Sequence, residues 1–204
     1  MRESYPLARG TLKPQHGERV SDLTGRHLNA SSVRLDRSHL AGADLREAWL
    51  MKATFHEAAL EGVNFTGAIL EGADFSRAKL AQATLSKANL KDTNFTKANL
   101  DHAELADSTA DGAKFNGAVL AKMTVTRGSM SGADFTGANL SGAEFRAVWF
   151  TAVRPDGEAA NPEAAETLAG AKFYDVEGLA PHQIEQCKSK GAIFGTEPTQ
   201  SAAT

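Results

Sequence analysis

Cysteine, tryptophan and tyrosine are scarce in this chain of 204 residues, and no long apolar run is present. The single cysteine, Cys187, excludes an internal disulfide, which is typical of a protein from a reducing compartment. Residues 1–20 contain no apolar stretch that would serve as a signal peptide, and no segment is long enough to cross a bilayer. We therefore expect a cytoplasmic protein that has neither a disulfide scaffold nor a membrane contact.

An excess of charge of one sign is lacking as well. The chain has 22 Lys and Arg residues against 25 Asp and Glu residues, so its formal net charge is only −3. Direct binding of nucleic acid is therefore not expected, because it depends on a sustained positive field. The apolar residues make up 42% of the chain, which is enough for one domain with a substantial core.

A five-residue pattern repeats without interruption over residues 33–152. Each unit reads small, polar, large apolar, polar, polar, as in 73–77 (ADFSR) and 88–92 (ANLKD). A period of five is neither the 3.6-residue period of a helix nor the alternation of an ordinary strand. Two apolar residues two positions apart point to the same side of an extended segment, and the remaining residues must then turn the chain. The pattern predicts a coil that turns once in every unit.

The large residues also show a second period of twenty, which predicts four sides in each coil. One side carries a ladder of phenylalanines, namely Phe55, Phe75, Phe95, Phe115 and Phe135. The next side carries leucine at every step from Leu40 to Leu140. With coils spaced like paired strands, at about 4.8 Å, six coils form a rod about 25–30 Å long. Each coil then buries its inward residues only against its neighbours, as in other repeat proteins.

These units resemble those of the pentapeptide-repeat family, which read A(D/N)LXX, and the resemblance covers about 120 of the 204 residues. It implies an all-β fold, a right-handed quadrilateral parallel β-helix. It also implies that Asp or Asn in the second position of a unit supports the turn, and not acid–base chemistry. Some members of the family bind DNA gyrase or topoisomerase IV by imitating duplex DNA and so protect against quinolones.

The remaining segments are expected to close the rod. We expect an irregular N-terminal arm over 1–20, a β-helix over 21–152 whose regular units begin at 33, and a C-terminal excursion with terminal units and a capping helix over 153–194. The final residues, 195–204, are expected to be mobile. Pro181 suits the first turn of the capping helix, and Gly191 suits its end.

One side of the rod has irregular residues at its large and small positions. Ala110 leaves space, Gly128 lacks the usual methyl group, and Met130 is flexible enough to fill an uneven gap. We expect a local bulge over 108–112 on this side.

The sequence favours no catalytic, cofactor or metal site. The six histidines lie on arms and on different sides, and His39 and His102 are three coils apart, about 14 Å, which is too far to share a metal. Asp101 and His102 are neighbours, but consecutive residues of a strand point apart. Cys187 is interpreted as a packing residue of the capping helix, and not as a nucleophile.

Exposed apolar residues on one side of the rod are the candidate interaction surface. Trp49, Met51 and Ile69 occupy outward positions near one end, and Trp149 occupies the equivalent position near the other. In one interpretation the N-terminal arm covers Trp49 and Ile69, and the C-terminal tail covers Trp149. In the other these residues bind a protein partner or a second copy, since tryptophan is enriched at the centres of interfaces.

The sequence therefore predicts a non-enzymatic interaction or structural module with an unknown protein partner. The alternative is a DNA-mimicking inhibitor of a type II topoisomerase. DNA mimicry requires an acidic surface, but none of the four sides departs from neutrality by more than one charge. We expect a monomer, or a homodimer formed through the C-terminal tail or through the side that carries Trp49.

Overall fold

The computed structural model describes residues 29–150 and 160–195, and its main feature is a stack of square coils of twenty residues. The polar residue before each large residue pairs in parallel with its equivalent one coil later, as in Thr54 with Asp74 and Asp74 with Asn94. The backbone N–H of Phe75 donates to the carbonyl of Asn94 at 2.7 Å, and the same bond recurs on every side. The coils are therefore joined as the strands of a parallel sheet are.

Regular strands form where three successive residues pair. They form a five-stranded parallel sheet in which the strand order follows the chain. The central residue of each strand pairs with the central residue of the next, and these residues are Leu105, Val125, Phe145, Phe173 and Phe194. The strands are β1 (Glu104–Ala106), β2 (Thr124–Thr126), β3 (Glu144–Arg146), β4 (Lys172–Tyr174) and β5 (Ile193–Gly195). The helix α1 spans Pro181–Ser189, and a single 3₁₀ turn spans Pro162–Ala164.

The corners explain how a five-residue unit turns. In most units the residue that begins the next side donates its N–H to the carbonyl of the preceding large residue, as Ala78 does to Phe75 at 3.0 Å. The last residue of the unit then lies at positive φ, for example 65° at Gly62 and 59° at both Arg77 and Lys97. Glycine takes this conformation without a Cβ penalty, which is why it recurs at corners.

A polar side chain supports many of these corners from outside. The side-chain oxygen of Asn94 accepts the N–H of Thr96 at 3.1 Å, two residues further on. Within the described residues, eight units make this bond, with the acceptors Asp44, Asn64, Asp74, Asn89, Asn94, Asn99, Asp134 and Asn139. The bond satisfies a backbone donor in the turn, which is the usual reason for Asx residues at such positions.

The core is a set of ladders that run along the rod axis. The five ladder phenylalanines are fully buried. Their rings stack with centroids 4.7 Å apart between Phe55 and Phe75, 5.3 Å apart between Phe75 and Phe95, and 5.2 Å apart at the next two steps. This offset stacking keeps one side of each coil in register with the next.

The expected bulge over 108–112 is wrong. Thr109 pairs in parallel with both Asn89 and Ser129, so the register is unchanged. Met130 and Ala110 are fully buried. A Cβ on Gly128 would lie only 3.0 Å from the carbonyl oxygen of Ser108, so that carbonyl occupies the space left by the missing methyl.

The C-terminal segment rejoins the rod and then closes it. The carbonyl of Thr167 accepts the N–H of Leu140 at 2.9 Å, and β4 continues the strand side of the coil. The helix α1 follows, begins at Pro181 and is ended by Gly191 at a φ of 89°. The chain then returns as β5, so that Phe194 stacks on Phe173 with a centroid distance of 4.7 Å. The short C-terminal helix expected from the sequence is confirmed.

Several expectations lie partly or wholly outside the described residues. The arm over 1–20, the part of the β-helix before residue 29 and the first residues of the C-terminal excursion fall in this category. Gly195, where the mobile tail was expected to begin, belongs to β5, and residues 196–204 lie outside the described residues.

Candidate interaction surface

One of the four sides, here called the tryptophan face, carries the exposed aromatic residues. Its central column consists of one residue from each coil, joined by parallel bridges. The members are Asn29, Trp49, Ile69, Asn89, Thr109, Ser129, Trp149 and Glu177. A second column, two residues further on in each unit, consists of Met51, Glu71, Lys91, Asp111 and Ser131. The bridged backbone holds the first column outward, and the residues that follow it point into the core. The second column lies in the turns at the corner of the face, where Ser131 is buried.

The large apolar side chains of this face are not all equally exposed. Trp49 is 52% exposed, Met51 37% and Trp149 44%, whereas Ile69 is half-buried. The two tryptophans lie five coils apart in one column, which corresponds to about 24 Å along the rod. These exposed tryptophans contrast with the phenylalanines of the core, which are fully buried among the described residues.

Between Ile69 and Trp149 the face is polar. Asn89 donates from its side-chain nitrogen to Glu71 at 3.3 Å. Asp111 accepts the hydroxyl of Ser129 and, at 2.9 Å, the backbone N–H of Ser131. Lys91 is exposed and makes no ion pair with any described residue. The face therefore offers two aromatic platforms joined by a row of polar groups, with one free positive charge near its middle.

The other faces carry several ion pairs, some of which join successive coils. Arg127 donates two bonds to Asp107 at 2.8 and 2.9 Å, one coil earlier. These bonds lower the pKa of the Asp107 carboxyl and raise that of the Arg127 guanidinium. Glu144 accepts bonds from Lys172 at 2.6 Å and from Arg146 at 2.9 Å, and both bonds lower its pKa. Because basic and acidic residues are nearly equal in number over 33–152, the rod has little net field of the kind that DNA mimicry requires.

One pair of residues resembles part of a catalytic site, and the sequence interpretation of it was wrong. Asp101 and His102 were expected to point apart, but Oδ2 of Asp101 lies 3.0 Å from Nδ1 of His102. The contact forms because both residues lie in a turn, where His102 has a φ of 58°. Both side chains are well exposed, at 38% and 47%, so water screens the pair. Across residues 29–150 and 160–195, no group of three His, Cys, Asp or Glu side chains could hold a metal ion.

Cys187 is held inside the C-terminal closure. It is fully buried on the inner face of α1. Burial, together with the nearby Glu163 carboxylate, raises the pKa of its thiol to about 12. A thiol that stays protonated is a poor nucleophile, and this supports the interpretation of Cys187 as a packing residue.

Hydrogen bonds of Asn161 join the last regular coil to the C-terminal segment. The side chain of Asn161 accepts the N–H of Phe135 at 2.7 Å and donates to Asp134 at 3.0 Å. Burial raises the pKa of Asp134, but bonds from Thr136, Asn116 and Asn161 outweigh it and lower the pKa to about 2. This network was not anticipated from the sequence, where Asp134 holds the second position of its unit as Asp or Asn does in many other units.

The described helices do not include one with the length and apolarity needed to cross a bilayer. The geometry as a whole is that of a solenoid repeat protein, built from stacked parallel coils with a closed C-terminal end. Models of pentapeptide repeats match residues 31–67, 60–96 and 73–109 with eight copies, and residues 110–154 with nine copies. The chain belongs to the pentapeptide-repeat family, and the fold class expected from the sequence is confirmed.

Solved structures of the same family share this fold. A trypsin-treated form of QnrB1, a plasmid-mediated fluoroquinolone resistance protein, is 20% identical, with a TM-score of 0.57 over 83% of this chain and 91% of that one. Full-length QnrB1 is 19% identical, with a TM-score of 0.50 over 84% and 93%. HetL, a cyanobacterial protein from Nostoc involved in regulating heterocyst differentiation, is 24% identical over 78% and 76%, with a TM-score of 0.38. No curated protein matches the chain.

Proposed function

We propose that this chain is a non-enzymatic protein-interaction module whose recognition surface is the tryptophan face. The observation that carries the proposal is the exposure of Trp49 and Trp149, at 52% and 44%, in one column of the rod. Exposed tryptophan is costly to leave in water and is the residue type most enriched at energetic centres of interfaces. The rigid coils hold these side chains in fixed positions, which lowers the entropy lost on binding.

A pull-down from the native cell tests this proposal directly. Tagged wild-type protein and a Trp49→Ala variant are compared, with Thr96→Ala on the neighbouring phenylalanine side as a matched surface control. We expect the bound protein to be retained by wild type and by Thr96→Ala, and to be lost from Trp49→Ala. Retention by a folded Trp49→Ala variant would show that the partner binds elsewhere.

The alternative is a DNA-mimicking inhibitor of DNA gyrase or topoisomerase IV. It is supported by the shared fold with QnrB1, whose published description is a fluoroquinolone resistance protein. The charge of the rod argues against this alternative, because residues 33–152 contain thirteen basic and fourteen acidic residues. A gyrase supercoiling assay separates the two proposals, because inhibition at low micromolar protein would favour the mimic.

A further inference from the structure

The tryptophan face is built so that its two ends complement each other. Trp49 lies in the first regular coil and Trp149 in the sixth, at equal distances from a midpoint between Asn89 and Thr109. Consider a two-fold axis through that midpoint that lies in the plane of the face and is perpendicular to the rod. This axis would place a second copy antiparallel to the first. It would set Trp49 of each copy against Trp149 of the other, so the same aromatic contact would form twice.

The charges in the second column agree with the same axis. Counting coils from the midpoint, Lys91 of one copy lies opposite Asp111 of the other, and the contact is repeated by symmetry. Lys91 is exposed and has no ion-pair partner among the described residues, while Asp111 accepts only hydroxyl and backbone donors. Glu71 lies opposite Ser131, whose side chain is buried and therefore offers no contact there. The two charged groups nearest the axis, Lys91 and Asp111, each meet an opposite charge.

A parallel arrangement of two copies does not show this agreement. With the two-fold axis along the rod, residues at equal height face each other and the two columns exchange places. The carboxylate of Glu71 would then be pressed against the half-buried side chain of Ile69, and Lys91 would face Asn89. Desolvating a carboxylate against an aliphatic side chain is unfavourable.

We infer that the tryptophan face is the interface of an antiparallel homodimer, in which a second copy of this chain is the partner. The inference deepens the proposed function, on which it rests, by naming the partner and its orientation. Six coils give a face about 29 Å long, and a width of about 17 Å gives about 500 Å² per copy. The resulting total of about 1,000 Å² is at the lower limit for a specific interface, so the dimer is expected to be weak and concentration-dependent.

Charge exchange at residues 91 and 111 tests the orientation. In sedimentation equilibrium of the full chain, Lys91→Glu should raise the dimer dissociation constant about tenfold or more, because two attractive contacts become repulsive. Asp111→Lys should do the same, and the double variant should associate like wild type. Lys79→Glu, an identical change on the leucine side, should leave the dissociation constant unchanged.

Mixing the two single variants gives the sharpest outcome. In a mixed dimer, the glutamate of Lys91→Glu faces the lysine of Asp111→Lys, and Asp111 of the first variant faces Lys91 of the second. Two variants that associate poorly alone should therefore form a heterodimer when mixed. Ion pairs restored within a single chain would not produce this result, because each chain carries only one of the two changes. A mixture that stays monomeric while wild type dimerises would overturn the antiparallel geometry.

Further measurements guard against loss of folding and separate this inference from the proposed function. Far-UV circular dichroism of each variant checks that the coils are intact, since Asp111→Lys removes two hydrogen bonds. Trp49→Ala provides a second variant that leaves those bonds in place and should also abolish association. A wild-type chain that is monomeric at every concentration refutes the homodimer. Suppose that the wild-type chain is monomeric but that the pull-down recovers a cellular protein with wild type and not with Trp49→Ala. The homodimer would then be refuted, and the proposed function would hold with a different protein as partner.

Discussion

Truncation of Phe95 to alanine is the most direct test of the stacked core. Phe95 is fully buried, and its ring stacks on Phe75 at 5.3 Å and on Phe115 at 5.2 Å. Removing a buried phenylalanine side chain costs about 3–5 kcal/mol of unfolding free energy, from lost transfer energy and from the cavity. Two lost ring contacts place this site toward the upper end of that range. A coil contacts only its neighbours, so distant side chains cannot collapse into the cavity.

Urea unfolding followed by far-UV circular dichroism measures the effect, with Thr96→Ala as the adjacent control. Thr96 points outward and bonds only to the side chain of Asn94 in its own unit, at 2.6 Å, so its loss should change the free energy by about 0.5 kcal/mol or less. A Phe95→Ala variant with the stability of Thr96→Ala would refute the inward ladder. It would also refute the assignment of each outward column, because both depend on the same alternation.

Three further changes test the contact of Gly128 with the Ser108 carbonyl, the hydrogen bonds around Asp134, and the glycine that ends α1. Gly128→Ala should lower the free energy of unfolding by about 1–3 kcal/mol, because the new methyl would meet the carbonyl of Ser108 at 3.0 Å. Since the folded pKa of Asp134, about 2, is below its usual value of 3.8, its stabilisation is complete above about pH 4 and is lost as the pH falls toward 2. Asp134→Asn should therefore flatten this part of a plot of urea midpoint against pH. Gly191→Ala should cost about 1–2 kcal/mol in thermal or urea unfolding, because its φ is 89°.

Each of these changes has a control or a contrary outcome. An unchanged urea midpoint for Gly128→Ala would show that the two coils can separate without cost. Parallel pH profiles for wild type and Asp134→Asn would show that other carboxylates cause the acid sensitivity. Gly62→Ala is matched to Gly191→Ala, because its φ is also positive but nothing lies within 4 Å of the added Cβ. Similar losses for the two variants would show that the positive φ, and not contact with Ala169, sets the cost.

The period of the sequence was sufficient to predict the rod, since burial, pairing and turning all follow from one five-residue unit. The inward position of Phe75, the outward position of Trp49 and the positive φ of Gly62 are each determined within a single coil and its neighbours. Local determination of this kind makes repeat proteins predictable in one dimension.

Features that depend on how neighbouring coils adjust to each other were not predictable in the same way. The closure over Gly128 required the position of the Ser108 carbonyl, which no pattern of residue types contains. The contact between Asp101 and His102 required knowing that both residues belong to a turn. The bonds of Asn161 to the last regular coil join residues more than twenty positions apart, across a break in the period.

Exact repetition of register every twenty residues has a consequence for the length of the rod. Deleting a block such as 73–92, or duplicating it, would join residues that already occupy equivalent places, so both ends would meet the same surroundings as before. The molecule can thus be shortened or extended only in whole steps of about 4.8 Å. Each step would change the distance between Trp49 and Trp149 by that amount and leave their directions almost unaltered. Insertion or deletion of whole coils during evolution would therefore change the length of the binding surface in steps of one coil.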